Sequence, residues 1–136
     1  KDKMSKSLNN HIELASTAEE TTKRVREMVT DPARQRKTDP GNPDICNVFT
    51  MHKIFSPQEE VDMINTECRR AGIGCVDCKL RFAANLNKDL EPFRAKRADL
   101  ESKPSYVQDV LDDGGKRARA IAQQTISEVR EAMQLP

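Results

Sequence analysis

Residues 45–74 read ICNVFTMHKIFSPQEEVDMINTECRRAGIG. Ile45, Val48, Phe49, His52 and Phe55 recur at three- and four-residue intervals, the spacing that lines one face of an α-helix. Pro43 suits the first turn of that helix, where a missing N–H costs nothing. Ser56-Pro57-Gln58-Glu59 interrupts the run and restarts it, because a hydroxyl three residues before a carboxylate has the form of a capping box. Val61, Ile64 and Cys68 continue the new face up to Gly72-Ile73-Gly74, a tight turn whose glycines can enter positive φ. The stretch predicts an antiparallel helical hairpin.

The same period runs outward in both directions. Upstream, Ser16 with Glu19 forms another capping box, and Val25, Met28 and Val29 follow it, so a helix is expected over 17–30. Asp31-Pro32 ends that helix, since proline pushes the residue before it out of the α region. The polar run 33–43 reads as an exposed basic loop. Downstream, Ala83, Leu86, Leu90, Phe93 and Leu100 predict a long helix over 76–100 that Pro92 should kink or split. A short helix from Pro104 carries Tyr106, Val107, Val110 and Leu111 and is expected to stop at Gly114-Gly115. A last helix over 116–133 follows, with Ala118, Ile121, Ala122, Thr125, Val129 and Met133 on one side. No strand-like alternation interrupts the pattern, so the expected fold is all-α: a helical bundle over 16–136, preceded by a loop and link over 1–15.

The 136 residues include one Tyr, four Phe and no Trp, so the core must come from Ile, Leu, Val, Ala and Met; Met28, Met51, Met63 and Met133 read as filler of that core. No run approaches the roughly 20 apolar residues of a membrane span, and no charged-then-apolar leader opens the sequence; a membrane protein and a secreted precursor are therefore not expected. The net charge of +1 names no partner, yet six basic residues fall between Lys23 and Lys37 while acids gather at Glu59, Glu60, Asp62 and Glu67. A chain neutral overall but basic in segments can still hold a phosphate backbone.

Lys3-Met4-Ser5-Lys6-Ser7 stands outside the bundle as a flexible, doubly basic loop. Two ammonium groups and two hydroxyls there can neutralise a triphosphate more strongly in the transition state than in the ground state. This stretch is the KMSKS signature, and with KMSKSLNNHIEL, VREMVTDPAR, LEPFRAKRADLESKP and VLDDGGKRARAIAQQTISEVREAM it makes the chain resemble bacterial tryptophanyl-tRNA synthetases, of the class I aminoacyl-tRNA synthetases, from Lys1 to Leu135. The resemblance implies a tryptophan–tRNA ligase, a cytoplasmic homodimer that uses ATP and Mg2+ to activate tryptophan and charge tRNA(Trp), with no role for DNA or a membrane. It implies ATP binding by Lys3, Met4, Ser5, Lys6 and Ser7, with Lys3 and Lys6 catalytic and Lys6 the main pyrophosphate contact. The HIGH motif and tryptophan pocket of such enzymes are absent from these residues, so the chain is expected to be a C-terminal part with an anticodon-binding role and no ligase activity alone.

Cys46, Cys68, Cys75 and Cys78 give the spacing C-x21-C-x6-C-x2-C, with the CxxC directly after the Gly72–Gly74 turn and beside the end of the helix carrying Cys68. A disulfide fits poorly with a reducing compartment, and a thioredoxin-like pair lacks its βαβ setting. Unconnected buried thiols and a metal site remain, and four thiolates suit zinc and iron–sulfur alike. The resemblance favours a [4Fe–4S] cluster, because some bacterial members hold one with a distant cysteine followed by C-x6-C-x2-C; zinc is the second choice. Such a centre would present Arg69, Arg70, Lys79 and Arg81 as a basic rim for tRNA, with Arg94, Lys96 and Arg97 as a second basic run. His11 is expected to order the turn after the loop, and His52 to be a hydrogen-bonded core residue. A different class of function, a stand-alone helical RNA-binding or interaction module with a structural zinc site, is the other reading.

Overall fold

A computed structural model describes residues 4–136. Among them the regular structure is helical: α1 (Ala18–Glu27), a 3-10 turn (Pro43–Ile45), α2 (Asn47–Phe55), α3 (Gln58–Arg69), α4 (Cys75–Glu101) and α5 (Pro104–Ala132). The chain divides into two compact units, one through Arg94 and one from Ala95 to Pro136, with the boundary inside α4.

The first unit contains the core. Val25 of α1, Val48 and Phe49 of α2, Val61 and Ile64 of α3, Ile73 of the turn, and Phe82, Ala83, Leu86 and Leu90 of α4 are buried together. Phe82 is fully enclosed and meets the His52 ring edge-on, with centroids 5.4 Å apart and planes at 61°. Polar side chains fix α1 against α4: Asn87 Nδ2 donates to the Ala18 carbonyl at 3.1 Å, and Arg94 donates to the Ser16 carbonyl at 2.8 Å and to Thr21 Oγ1 at 2.9 Å. Arg94 of the second basic run is thereby a structural clamp.

Several local expectations are corrected. The first capping box is Thr17 with Glu20, one residue later than Ser16 with Glu19: the Thr17 hydroxyl accepts the Glu20 amide while the Glu20 carboxylate accepts the Thr17 amide. The box expected at Ser56 does not form, because Pro57 occupies the cap of α3 and the Ser56 hydroxyl turns to His52. The turn after α3 needs a left-handed residue, and Ala71 rather than a glycine supplies it at φ 60°. Gly72 N–H then bonds the Glu67 carbonyl and Ala71 N–H the Cys68 carbonyl, which closes the helix end with a Schellman motif. Pro92 neither splits α4 in two nor ends it; Pro92 and Lys88 are both exposed, so the carbonyl deprived of its donor meets water.

In the second unit, Gly114 and Gly115 do not stop a helix. They lie inside α5 without positive φ, and α5 runs unbroken for 29 residues. Its stability is local: Arg117 pairs with Asp113 at 2.9 Å, while Gln108 bonds Asp112 and Gln124 bonds Glu128, each four residues apart. None of its side chains is buried, and Ile121 is 69% exposed. Phe82→Ala should therefore cost about 3–5 kcal/mol, whereas Ile121→Ala should stay within about 0.5 kcal/mol of the parent; urea unfolding of the two variants tests the difference.

Candidate functional site

The described part of the basic loop is tied together by its own hydrogen bonds. The Leu8 amide donates to Ser5 Oγ at 3.3 Å, Ser5 Oγ lies 3.2 Å from Ser7 Oγ, and the Ser5 amide donates to Asn10 Oδ1 at 2.8 Å. The Asn9 amide closes a turn onto the Lys6 carbonyl at 3.0 Å. Ser5 is thus held by the loop, while Met4, Lys6 and Ser7 are exposed. Lys3 lies outside the described residues. His11 Nε2 sits 3.1 Å from Glu13 Oε1, and that contact holds the Glu13 carboxyl below its usual range.

The four cysteines come from three helices. Cys46 caps α2, Cys68 lies in the last turn of α3, and Cys75 and Cys78 share the first turn of α4. All four are free thiols. Burial pushes the Cys78 thiol up to about 12, and Cys46, Cys68 and Cys75 each oppose its ionisation further. Cys68 is raised in the same way, by burial first and then by Cys46 and Cys75, although the Arg34 guanidinium pulls against the shift. Among the described residues, no three His, Cys, Asp or Glu groups are placed to hold a single metal ion.

The segment 33–43, expected to be an exposed loop, packs beside Cys68 and is partly buried, with Arg34 and Pro43 enclosed. The Asp31 carboxylate accepts the amides of Ala33 and Asn42 at 2.9 and 2.8 Å. Arg34 is 8% exposed: Nη2 donates to the carbonyls of Lys37 and Ile73 at 2.9 and 2.7 Å, and Nη1 lies 3.8 Å from Cys68 Sγ. Gly41 donates its amide to the Cys68 carbonyl at 2.9 Å, and a Cβ on Gly41 would stand only 2.6 Å from Cys68 Sγ. Polarity alone gave no sign of this packing, because the partners lie 34 and 39 residues from Arg34.

On the other side, buried His52 is a hydrogen-bonded core residue. Nε2 is 3.1 Å from the Cys78 carbonyl and Nδ1 is 2.7 Å from Ser56 Oγ. A carbonyl can only accept, so Nε2 carries the proton and Nδ1 accepts from the serine hydroxyl. Burial lowers the imidazole pKa and keeps this neutral tautomer.

The expected basic rim is exposed for the most part, but each member already has a partner in the chain. Arg69 bonds Asp44 at 2.7 Å and Asn65 at 3.0 Å, Arg70 pairs with Glu67, Lys79 Nζ donates to the Arg26 carbonyl at 2.9 Å, and Arg81 lies 3.5 Å from Glu60. In the second run, Lys96 and Arg97 pair with Asp99 and Glu101 along their own helix.

Comparison with known proteins places these features in a family. The family model described as tRNA synthetases class I (W and Y) matches residues 1–91. The tryptophan–tRNA ligase of Aquifex aeolicus is 44% identical over 135 residues, covering 98% of this chain and 34% of the relative. That of Deinococcus radiodurans is 43% identical over 129 residues, covering 95% and 39%. A crystal structure of tryptophanyl-tRNA synthetase from Campylobacter jejuni superposes with a TM-score of 0.84 at 29% identity, over 98% of this chain and 42% of that one. The chain thus spans about a third to two fifths of the length of the curated relatives it matches.

The close approach of Gly41 to Cys68 generates a direct test. Gly41→Ala should destabilise the first unit by about 1–3 kcal/mol, the usual cost of forcing an extra methyl into packed surroundings. Thermal or urea unfolding checks it, with Gly115→Ala, whose Cβ would meet nothing within 4 Å, as the comparison.

Proposed function

The chain belongs to the class I tRNA synthetases of the tryptophan and tyrosine type, and on that premise we propose that it is the ATP-loop and helical anticodon-binding part of a tryptophan–tRNA ligase. The observation that carries this reading is 42–44% identity to tryptophan–tRNA ligases of three bacteria along 95–98% of the chain. In the complete enzyme the tryptophan carboxylate attacks the α-phosphorus of Mg2+-bound ATP, and pyrophosphate leaves. Lys3 and Lys6 neutralise the charge that grows on the departing group. Ser5 shapes the loop, Ser7 is its exposed hydroxyl, and Met4 lies between the two lysines. Residues 1–15 supply this loop and its link, and 16–136 supply the RNA-binding helices. A cytoplasmic place and a homodimer built largely on the catalytic part belong to the same reading.

tRNA(Trp) is the nucleic-acid partner, and Arg69, Arg70, Lys79 and Arg81 are its candidate contacts. Among their carboxylate partners Asp44 is exposed while Glu67 and Glu60 are largely shielded, and an exposed surface pair contributes little, about 0–1 kcal/mol. An RNA phosphate would therefore displace Asp44 at small cost.

A [4Fe–4S] cluster held by Cys46, Cys68, Cys75 and Cys78 is the cofactor we propose for the helical part. What supports the reading is the donor set: four free cysteines from the ends of α2, α3 and α4, in the spacing C-x21-C-x6-C-x2-C, and four thiolates are the ligands such a cluster takes. Arg34 adds a positive charge beside Cys68, suited to an anionic centre. When bound, the cluster would tie the ends of α2, α3 and α4 together, so that metal binding and folding share one free energy. The alternative of a stand-alone module with structural zinc has no observation in its favour.

Two measurements test the proposal. In the complete enzyme, Lys6→Ala should lower kcat for tryptophan-dependent ATP–pyrophosphate exchange by about 10²-fold or more, with KM for ATP little changed. A raised KM with kcat intact would remove the transition-state role. Anaerobically purified protein should show a broad visible charge-transfer band, with iron and sulfide near four per chain (about what four cysteine ligands imply). One zinc per chain would replace the cofactor, and no metal would reduce the cysteines to packing.

A further inference from the structure

Asn9 follows the turn that closes the basic loop, and it adopts φ 48°, in the left-handed region. Asparagine tolerates that region better than most residues, but a loop residue will leave it unless something holds it there. The holder is Arg24 on α1. Its Nη1 donates to the Asn9 carbonyl at 2.9 Å and its Nη2 donates to Asn9 Oδ1 at 2.9 Å. The rigid guanidinium fork thus fixes the backbone and the side chain of one residue together. Glu27, one turn further along α1, accepts from Nη1 at 3.2 Å and steadies the fork. The helix beneath is itself held, with Val25 and Thr21 fully buried and with Arg94 and Asn87 bonded to Thr21 and Thr22.

From Asn9 the order passes into the loop. Its amide bonds the Lys6 carbonyl, and the next residue, Asn10, accepts the Ser5 amide through its side chain. Met4 lines a cleft of about 470 Å³ together with Asn9, Arg24, Met28 and Met51, so both ends of the described loop lie against the helical unit.

We infer that Arg24 is a positioning residue for the ATP loop: by clamping Asn9 in its left-handed conformation it sets the direction in which Lys6 is presented to the leaving pyrophosphate. The inference rests on the reading of residues 3–7 as that loop. Arg24 touches no reactant in this role. It acts through Asn9, and a misplacement of about 1 Å in a catalytic group is enough to cost about 10²-fold in rate.

The test uses the complete enzyme and tryptophan-dependent ATP–pyrophosphate exchange. Arg24→Ala should lower kcat by about tenfold to a hundredfold while leaving KM for ATP and the melting temperature close to the parent. Arg24→Lys should recover little, because one ammonium cannot engage both oxygens in the geometry of the fork. Asn9→Ala should show a similar loss, and the double variant should fall no lower than the worse single one. If Arg24→Ala melts early, Asn9→Ala and Arg24→Lys carry the test. Parental kcat in Arg24→Ala, full rescue by lysine, or additive losses in the double variant would overturn the positioning role. Lys6→Ala, measured alongside, separates the two levels: if it is impaired while Arg24→Ala is not, only the latch fails. If the parent shows no exchange, or Lys6→Ala exchanges normally, the ATP-loop reading fails and the latch with it.

Discussion

The His52 imidazole sits where α2, the start of α3 and α4 meet, and both its nitrogens must find partners inside the protein. A buried ring nitrogen without a partner costs about 1–3 kcal/mol. The Cys78 carbonyl and the Ser56 hydroxyl meet that need, and Asn85 in turn donates to the same hydroxyl. These bonds fix the rotation and height of α4 relative to α2. Phe82, one turn beyond Cys78, can then close edge-on against the same ring. The placement of Cys75 and Cys78 follows from that register, as does the reach of Lys79 to α1.

The helices were legible because their apolar spacing is strong and local. Val48, Phe49, Val61, Ile64, Ala83, Leu86 and Leu90 are all core residues on the faces that the three- and four-residue intervals mark. Phe82 was not marked, since a heptad-like reading of α4 begins one residue later at Ala83. Gly114-Gly115 shows the opposite error. Two glycines lower helix propensity by about 1 kcal/mol each relative to alanine, but the helix formers on either side and the i,i+4 pairs outweigh that penalty. Ala71 makes the same point in reverse: the Schellman bonds set which residue must be left-handed, and a glycine one position later does not move that site.

The chemistry-bearing residues were legible as groups, not as geometry. The KMSKS stretch is contiguous and Cys68, Cys75 and Cys78 lie within eleven residues, so their types mark them as candidates from the sequence alone. Arg34, Gly41 and Arg24 act through partners 15 to 39 residues away, and nothing local distinguishes them from other polar loop and helix residues. Each belongs to a basic or polar run that reads, by composition, as a solvated face. A buried guanidinium becomes visible only once the carbonyls that accept from it are brought together by folding.

The pairing of the basic rim bears on how RNA recognition would work. A phosphate that takes Arg69 from Asp44 leaves a carboxylate whose proton affinity that arginine had lowered, and which remains exposed and hydrated. The exchange is between two anions at one guanidinium, so its net energy is small and depends strongly on salt. Arg81 differs, because its partner Glu60 is largely shielded and also accepts from Asn85. Removing Arg81 from that site would leave a shielded carboxylate short of a donor. On these grounds Arg69 is the member of the rim most readily transferred to an RNA backbone, Arg70 is held back by a Glu67 that is itself largely shielded, and Arg81 is the member that the helical core has the strongest reason to keep.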